Sequence, residues 1–115
     1  MNYFNKRETQ CPCGCELDIT DELRDKLNVA RDKLGIPIII TSGARCKKHN
    51  KEVGGSKTSS HLKGLAVDIA IPDSKYRYDL MYALKTSGFN RVGHSKDFIH
   101  IDIDYSKPND VEWVY

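Results

Sequence analysis

Residues Ser59–Ile71 read SSHLKGLAVDIAI, and the alternation inside this stretch decides the fold. In an extended chain Leu65, Val67, Ile69 and Ile71 fall on one face, and Ala66, Asp68 and Ala70 on the other. The first face is a core face. The second is kept small by its alanines, which leave open space around Asp68 as a ligand-bearing surface requires. His61 stands in the loop that leads in, and Gly64 allows the backbone to turn between the two polar residues.

Working outward, the same division recurs in FIHIDID, Phe98–Asp104. Ile99, Ile101 and Ile103 form a core face; His100, Asp102 and Asp104 form the opposite one. If the two strands are neighbours, Asp68 and His100 project from one side of a sheet and His61 folds over them. Two imidazoles and a carboxylate, with a fourth position left for water, form a catalytic rather than a structural zinc set. A zinc ion there lowers the pKa of its bound water toward ~7. Asp97, three residues before His100, is a candidate general base. Each residue taken singly has a plainer reading: a surface histidine, a turn-capping aspartate, a loop histidine. The residues alone support a candidate His/Asp/His metal site and go no further.

The rest of the chain supplies the frame. Thr20 is a candidate N-cap, with Asp21 and Glu22 in the first turn where the helix dipole favours acids. Leu23, Leu27, Ala30 and Leu34 make one helical stripe, stopped by Gly35 and Pro37. IPIIIT, Ile36–Thr41, reads as a buried strand, and SGARCKKHNKEVGG as a turn and short helix closed by Gly54 and Gly55. Asp73 or Ser74 caps a further helix, with Tyr78, Met81, Ala83 and Leu84 available for packing, which ends at Gly88. A hairpin follows, with one strand near Phe89–Gly93, a turn at Ser95–Lys96 and a strand over Phe98–Asp104. Residues 1–19 read as an irregular N-terminal arm. The expected architecture is α+β: a small, mainly antiparallel sheet with helices packed on one face, in a single domain over residues 1–115.

Composition narrows the partners. A net charge of +2 with dispersed lysines does not suggest a nucleic-acid surface. No apolar run approaches the ~20 residues of a membrane span, so membrane insertion is not expected. The start, MNYFNKRETQ, has no apolar h-region, which leads us to expect synthesis in the cytoplasm without a signal peptide. Four cysteines cluster as Cys11, Cys13 and Cys15 in CPCGC, with Cys46 far along the chain. Free or transient thiols rank first, a small cysteine-bound structural metal second, and a disulfide from Cys46 third.

SGARCKKHNKEVGG, SSHLKGLAVDIA and FIHID together resemble the zinc D-Ala-D-Ala peptidase family. That family includes D-alanyl-D-alanine carboxypeptidases and the L-alanyl-D-glutamate endopeptidases of phage endolysins, and is related in fold to the Hedgehog signalling domain. The resemblance runs from about Ile38 to Asp104 and rests on Ser-x-His-x-x-Gly-x-Ala-x-Asp, Ser59 to Asp68, followed by His-x-Asp. It implies that His61, Asp68 and His100 bind one catalytic Zn2+, that Asp97 is the catalytic base, and that Arg45 of the SGxR motif holds substrate or stabilises an oxyanion. Ser59 then braces its loop or contacts substrate. Asp102 orients a ligand histidine or a neighbouring backbone, with a wet strand-face acid as the plainer alternative. His49 and Asn50 match the motif and are expected to fix the glycine turn. His94 either approaches the site or is a turn residue, and Trp113, Tyr105 and Tyr115 are expected to be packing residues.

The function this implies is hydrolysis of peptide bonds in peptidoglycan stem peptides by a monomer, reaching the cell wall after holin-type release. The competing expectation is a non-catalytic zinc-binding module of the same fold, serving as a cell-wall or phage structural protein.

Overall fold

The computed structural model describes residues 2–115. Its first element lies in the expected irregular arm. Lys6–Thr9 forms a short helix, α1, whose start is closed by reciprocal bonds between Asn5 and Glu8. The arm is also part of the core, since Phe4, Thr9, Cys11 and Ile19 are all buried. Its irregular sequence hides this because the apolar residues follow neither helical nor strand spacing.

The second helix, α2 (Asp21–Leu34), begins and ends where its caps predict. Thr20 Oγ1 accepts from Leu23 N–H, and Gly35 terminates the helix in the left-handed region at φ 77°. Leu23, Leu27 and Ala30 are buried, with Leu34 packed at the margin. β1 (Ile40–Ser42) is shorter than IPIIIT predicts. It is an edge strand, so Ile38 is buried while Ile39 is 58% exposed. α3 (Lys47–Glu52) and a 3-10 turn (Ser60–Lys63) lead into β2 (Ala66–Ala70). α4 (Ser74–Thr86) is capped by Asp73, which accepts from Tyr76 N–H. Leu80, Ala83 and Leu84 are its buried face, whereas Tyr78 points to solvent. β3 (Arg91–His94) and β4 (Phe98–Asp102) form the expected hairpin. A fifth strand, β5 (Val111–Val114), closes the far edge and has no counterpart in the sequence reading.

The sheet runs β1-β2-β4-β3-β5, antiparallel except for the β3–β5 pair. It is a mixed five-stranded sheet in an α+β fold, mainly antiparallel as expected. α2 and α4 pack against each other, and their buried residues join Val67, Ile69, Val92, Ile99 and Ile101 in one core. The opposite face carries the polar alternates. Across it the register is continuous: Ser42 pairs with Asp68, Asp68 with His100, His100 with Gly93, and Gly93 with Trp113. Paired residues share a face, so one row of the sheet holds the chemistry.

Candidate metal centre

Asp68 and His100 are direct cross-strand partners, which answers the condition left open by alternation alone. Asp68 Oδ1 lies 3.1 Å from His100 Nδ1 and 3.2 Å from His61 Nε2. His61 reaches the row from the 3-10 turn. Ser59 Oγ accepts from His61 N–H at its start, and Gly64 ends it at φ 69°. A side chain at Gly64 would also meet Asp18 O at 2.6 Å, so space and backbone conformation both demand glycine there. Asp104 holds the turn to the end of β4. Its buried carboxylate accepts from Ser60 Oγ (2.7 Å) and from Lys63 Nζ (3.2 Å).

The tautomers follow from the partners. Gly43 O can only accept, so His61 Nδ1, 2.7 Å away, carries a proton and donates it. The Asp102 carboxylate likewise accepts from His100 Nε2 at 2.8 Å. In the neutral rings this leaves lone pairs on His61 Nε2 and His100 Nδ1, and both face Asp68 Oδ1. Three acceptors turned toward one point suit a cation between them, whereas a second proton on either ring would make these contacts ion pairs with Asp68. Their spacing matches the ~3.3 Å edge of a tetrahedron with metal bonds of about 2.0–2.1 Å. Backbone carbonyl and carboxylate behind the two rings are the usual supports of metal-binding histidines. The residues therefore fit a metal ion, with His61, Asp68 and His100 as its holders.

With no metal bound, a second ring proton takes the cation's place. Burial pushes the Asp68 pKa up, but the bonds from His100 and His61 outweigh it and hold the carboxyl well below the usual range. Burial alone would lower the His100 pKa; Asp102 and Asp68 reverse this and raise it. Asp102, also depressed against the effect of burial, accepts from His100, from Arg91 Nε at 2.6 Å and from Asp104 N–H at 3.1 Å. It is 1% exposed, so it is not a wet strand-face acid but a buried acceptor that orients His100.

An open cleft of about 430 Å³ lies over the three ligands. Arg45 is on its wall, its Nε buried without a hydrogen-bond partner and its guanidinium in no salt bridge among the described residues. Ser59 and Phe98 also line it. Two residues expected only to pack belong here as well. Trp113 stacks obliquely on His100 with ring centroids 5.7 Å apart, and Tyr115 stands beyond it. Gly93 makes this approach available, because a β-carbon there would sit 2.4 Å from the Trp113 indole nitrogen. A glycine inside a strand is the one sequence signal for that close approach. Tyr105, by contrast, is exposed outside the cleft.

Asp97 and His94 lie elsewhere. Asp97 is exposed beside Ile39, Ile71 and Tyr76, outside the cleft. His94 is on the helix side, bonded to Arg77 and Glu112. Asn50 meets its expectation: it is buried, donates to Ser56 O at 2.9 Å and fills the space a side chain at Gly55 would need. His49 lies beside it, 3.9 Å from Glu52.

The sequence matches the family described as Peptidase M15 over residues 1–102. The chain belongs to that family, which is the family of the zinc D-Ala-D-Ala carboxypeptidases, and its fold is compatible with it. No curated protein matches the chain at a significant level.

Proposed function

We propose that this chain is a zinc-dependent peptidase hydrolysing peptide bonds in the stem peptides of peptidoglycan, as an L-Ala-D-Glu endopeptidase or a D-Ala-D-Ala carboxypeptidase. One observation carries the reading. His61 Nε2, Asp68 Oδ1 and His100 Nδ1 converge as three acceptors at the floor of an open cleft whose wall bears the unpaired Arg45. When bound, zinc supplies Lewis acidity toward a carbonyl and a water acidic enough to act near neutral pH.

The chain's own residues supply the positioning. The Gly43 carbonyl keeps the His61 proton on Nδ1, and Asp102 keeps the His100 proton on Nε2, so the opposite ring nitrogens stay free to bind. Arg45 offers a bidentate fork to a substrate carboxylate or a developing oxyanion. Stem peptides are rich in carboxylates, which suits a cleft whose other cations, Arg91 and Lys107, are already engaged by Asp102 and Asp104. Ser59 braces the His61 turn, and Trp113 with Tyr115 shields the His100 side from bulk water. Asp97 does not line this cleft. The acids lining the cleft are Asp68 and Asp102.

No helix among the described residues is long and apolar enough to cross a membrane. In this proposal the chain acts as a monomer and reaches the wall through a separate pore.

The test is digestion of purified peptidoglycan followed by mass spectrometry of the fragments. Loss of terminal D-Ala marks a carboxypeptidase; a new amino-terminal D-Glu marks the endopeptidase. His100→Ala should lose one metal ion per chain together with all hydrolysis. Failure of the zinc-loaded wild type to cut any stem peptide would leave the non-catalytic binding module as the reading.

A further inference from the structure

Outside the cleft, a second group of metal-binding side chains meets in space. We infer that Cys11, Cys13, Cys15 and Cys46 form a structural tetrathiolate zinc centre that clamps the N-terminal segment to the loop carrying Gly43 and Arg45.

The four sulfurs all lie within 4.8 Å of one another although Cys46 is 35 residues from Cys11. Cys11–Cys13, Cys13–Cys46 and Cys11–Cys46 are separated by 3.3, 3.4 and 3.8 Å. A zinc ion with bonds of about 2.3 Å sets its sulfurs ~3.8 Å apart at the corners of a tetrahedron. Disulfides would instead join the sulfurs in pairs, and all four cysteines are free. The four thiols leave no corner for water, which is the mark of a structural site.

The backbone is arranged for thiolates. Cys46 N–H points at Cys11 Sγ and His49 N–H at Cys46 Sγ, each at 3.4 Å. The CPCGC loop is closed by Cys11 N–H donating to Leu17 O, with Gly14 and Glu16 both at positive φ. Glu16, at φ 67°, holds a conformation unfavourable to a side chain, and the loop that needs it is the one that gathers three sulfurs. Binding displaces the four thiol protons to solvent and involves no oxidation.

The consequence reaches the cleft. Thr9 O accepts from Ala44 N–H at 2.9 Å, and Gly43 is pressed so close to Thr9 that a β-carbon would lie 2.3 Å from its carbonyl oxygen. Gly43 O in turn holds His61, and Arg45 N–H donates to His61 O. A clamp at Cys46 therefore steadies the frame behind a ligand and behind Arg45.

The test is titration of the native, zinc-loaded protein with a thiol-specific mercurial in the presence of a zinc indicator. One zinc per chain should be released as four thiols react. Cys13→Ser/Cys15→Ser should contain one zinc fewer, while His100→Ala should keep the mercurial-releasable zinc and so tells the two centres apart. The inference is overturned if four thiols react with no zinc released. Iron in the site, or an intact mass two hydrogens light from a disulfide, would overturn it equally.

Discussion

Replacing Asp102 with Asn tests whether the second histidine nitrogen is set from behind. Asp102 serves three donors at once: His100 Nε2, Arg91 Nε and the Asp104 amide. An asparagine keeps one acceptor oxygen and gains an NH2 group. If the oxygen stays with Arg91 and Asp104, the NH2 meets His100 Nε2–H, donor against donor. His100 then moves its proton to Nδ1, the atom that faces Asp68, and any metal must displace it. Changes of this kind behind a ligand typically weaken metal binding 10–100-fold, about 1.4–2.7 kcal/mol. Exchanging a charge-assisted bond to a nearly buried Arg91 for a neutral one costs about 1–2 kcal/mol more in folding. That lowers Tm by roughly 4–8 °C in a domain of this size. Competition with a chromophoric chelator reads the affinity, the relevant step being the one that disappears in His100→Ala. Calorimetry of the metal-free protein reads the stability. An affinity within twofold of wild type would refute the orienting role, whatever happens to Tm.

Asp97→Ala should keep its zinc and its hydrolysis of peptidoglycan within about twofold, since no site contact is lost; a drop of 100-fold or more would return Asp97 to the mechanism. Gly93→Ala places a methyl 2.4 Å from the Trp113 indole and should push the ring off His100, at about 1–3 kcal/mol of stability. Unchanged Trp113 fluorescence would count against that contact. Asp104 gives a pH signature. Burial alone would raise its pKa, but bonds from Ser106, Ser60 and Lys63 hold it well below the usual carboxylate range. Its stabilising contribution is therefore present above the unfolded value near ~3.9 and lost as pH falls through the lower folded one. The Tm gap between wild type and Asp104→Asn should narrow below about pH 4, and a gap constant down to pH 2.5 or so would refute it.

Much of this protein is written in short-range pattern. Period-two alternation places Asp68 and His100 on polar faces, and the caps at Thr20, Gly35 and Asp73 bound two helices, because each depends on neighbours a few residues away. The ligand types in SSHLKG and FIHID, and the turn at Gly64, are legible for the same reason. The partners that make them a site are not. That Asp68 faces His100 is a matter of strand order, and that Gly43 and Asp102 set the two tautomers depends on contacts between separate segments. Motif spacing makes Asp97 a candidate base, but where its side chain lies depends on the bend before β4, which leaves it exposed beside Ile39, Ile71 and Tyr76. β5 brings Trp113 over His100 by pairing in parallel with β3, a crossing that no local signal encodes. The four cysteines, spread over 36 positions, left free thiols, a bound metal and a disulfide all open in sequence. Only folding, which packs the N-terminal segment against Gly43, decides that their sulfurs meet.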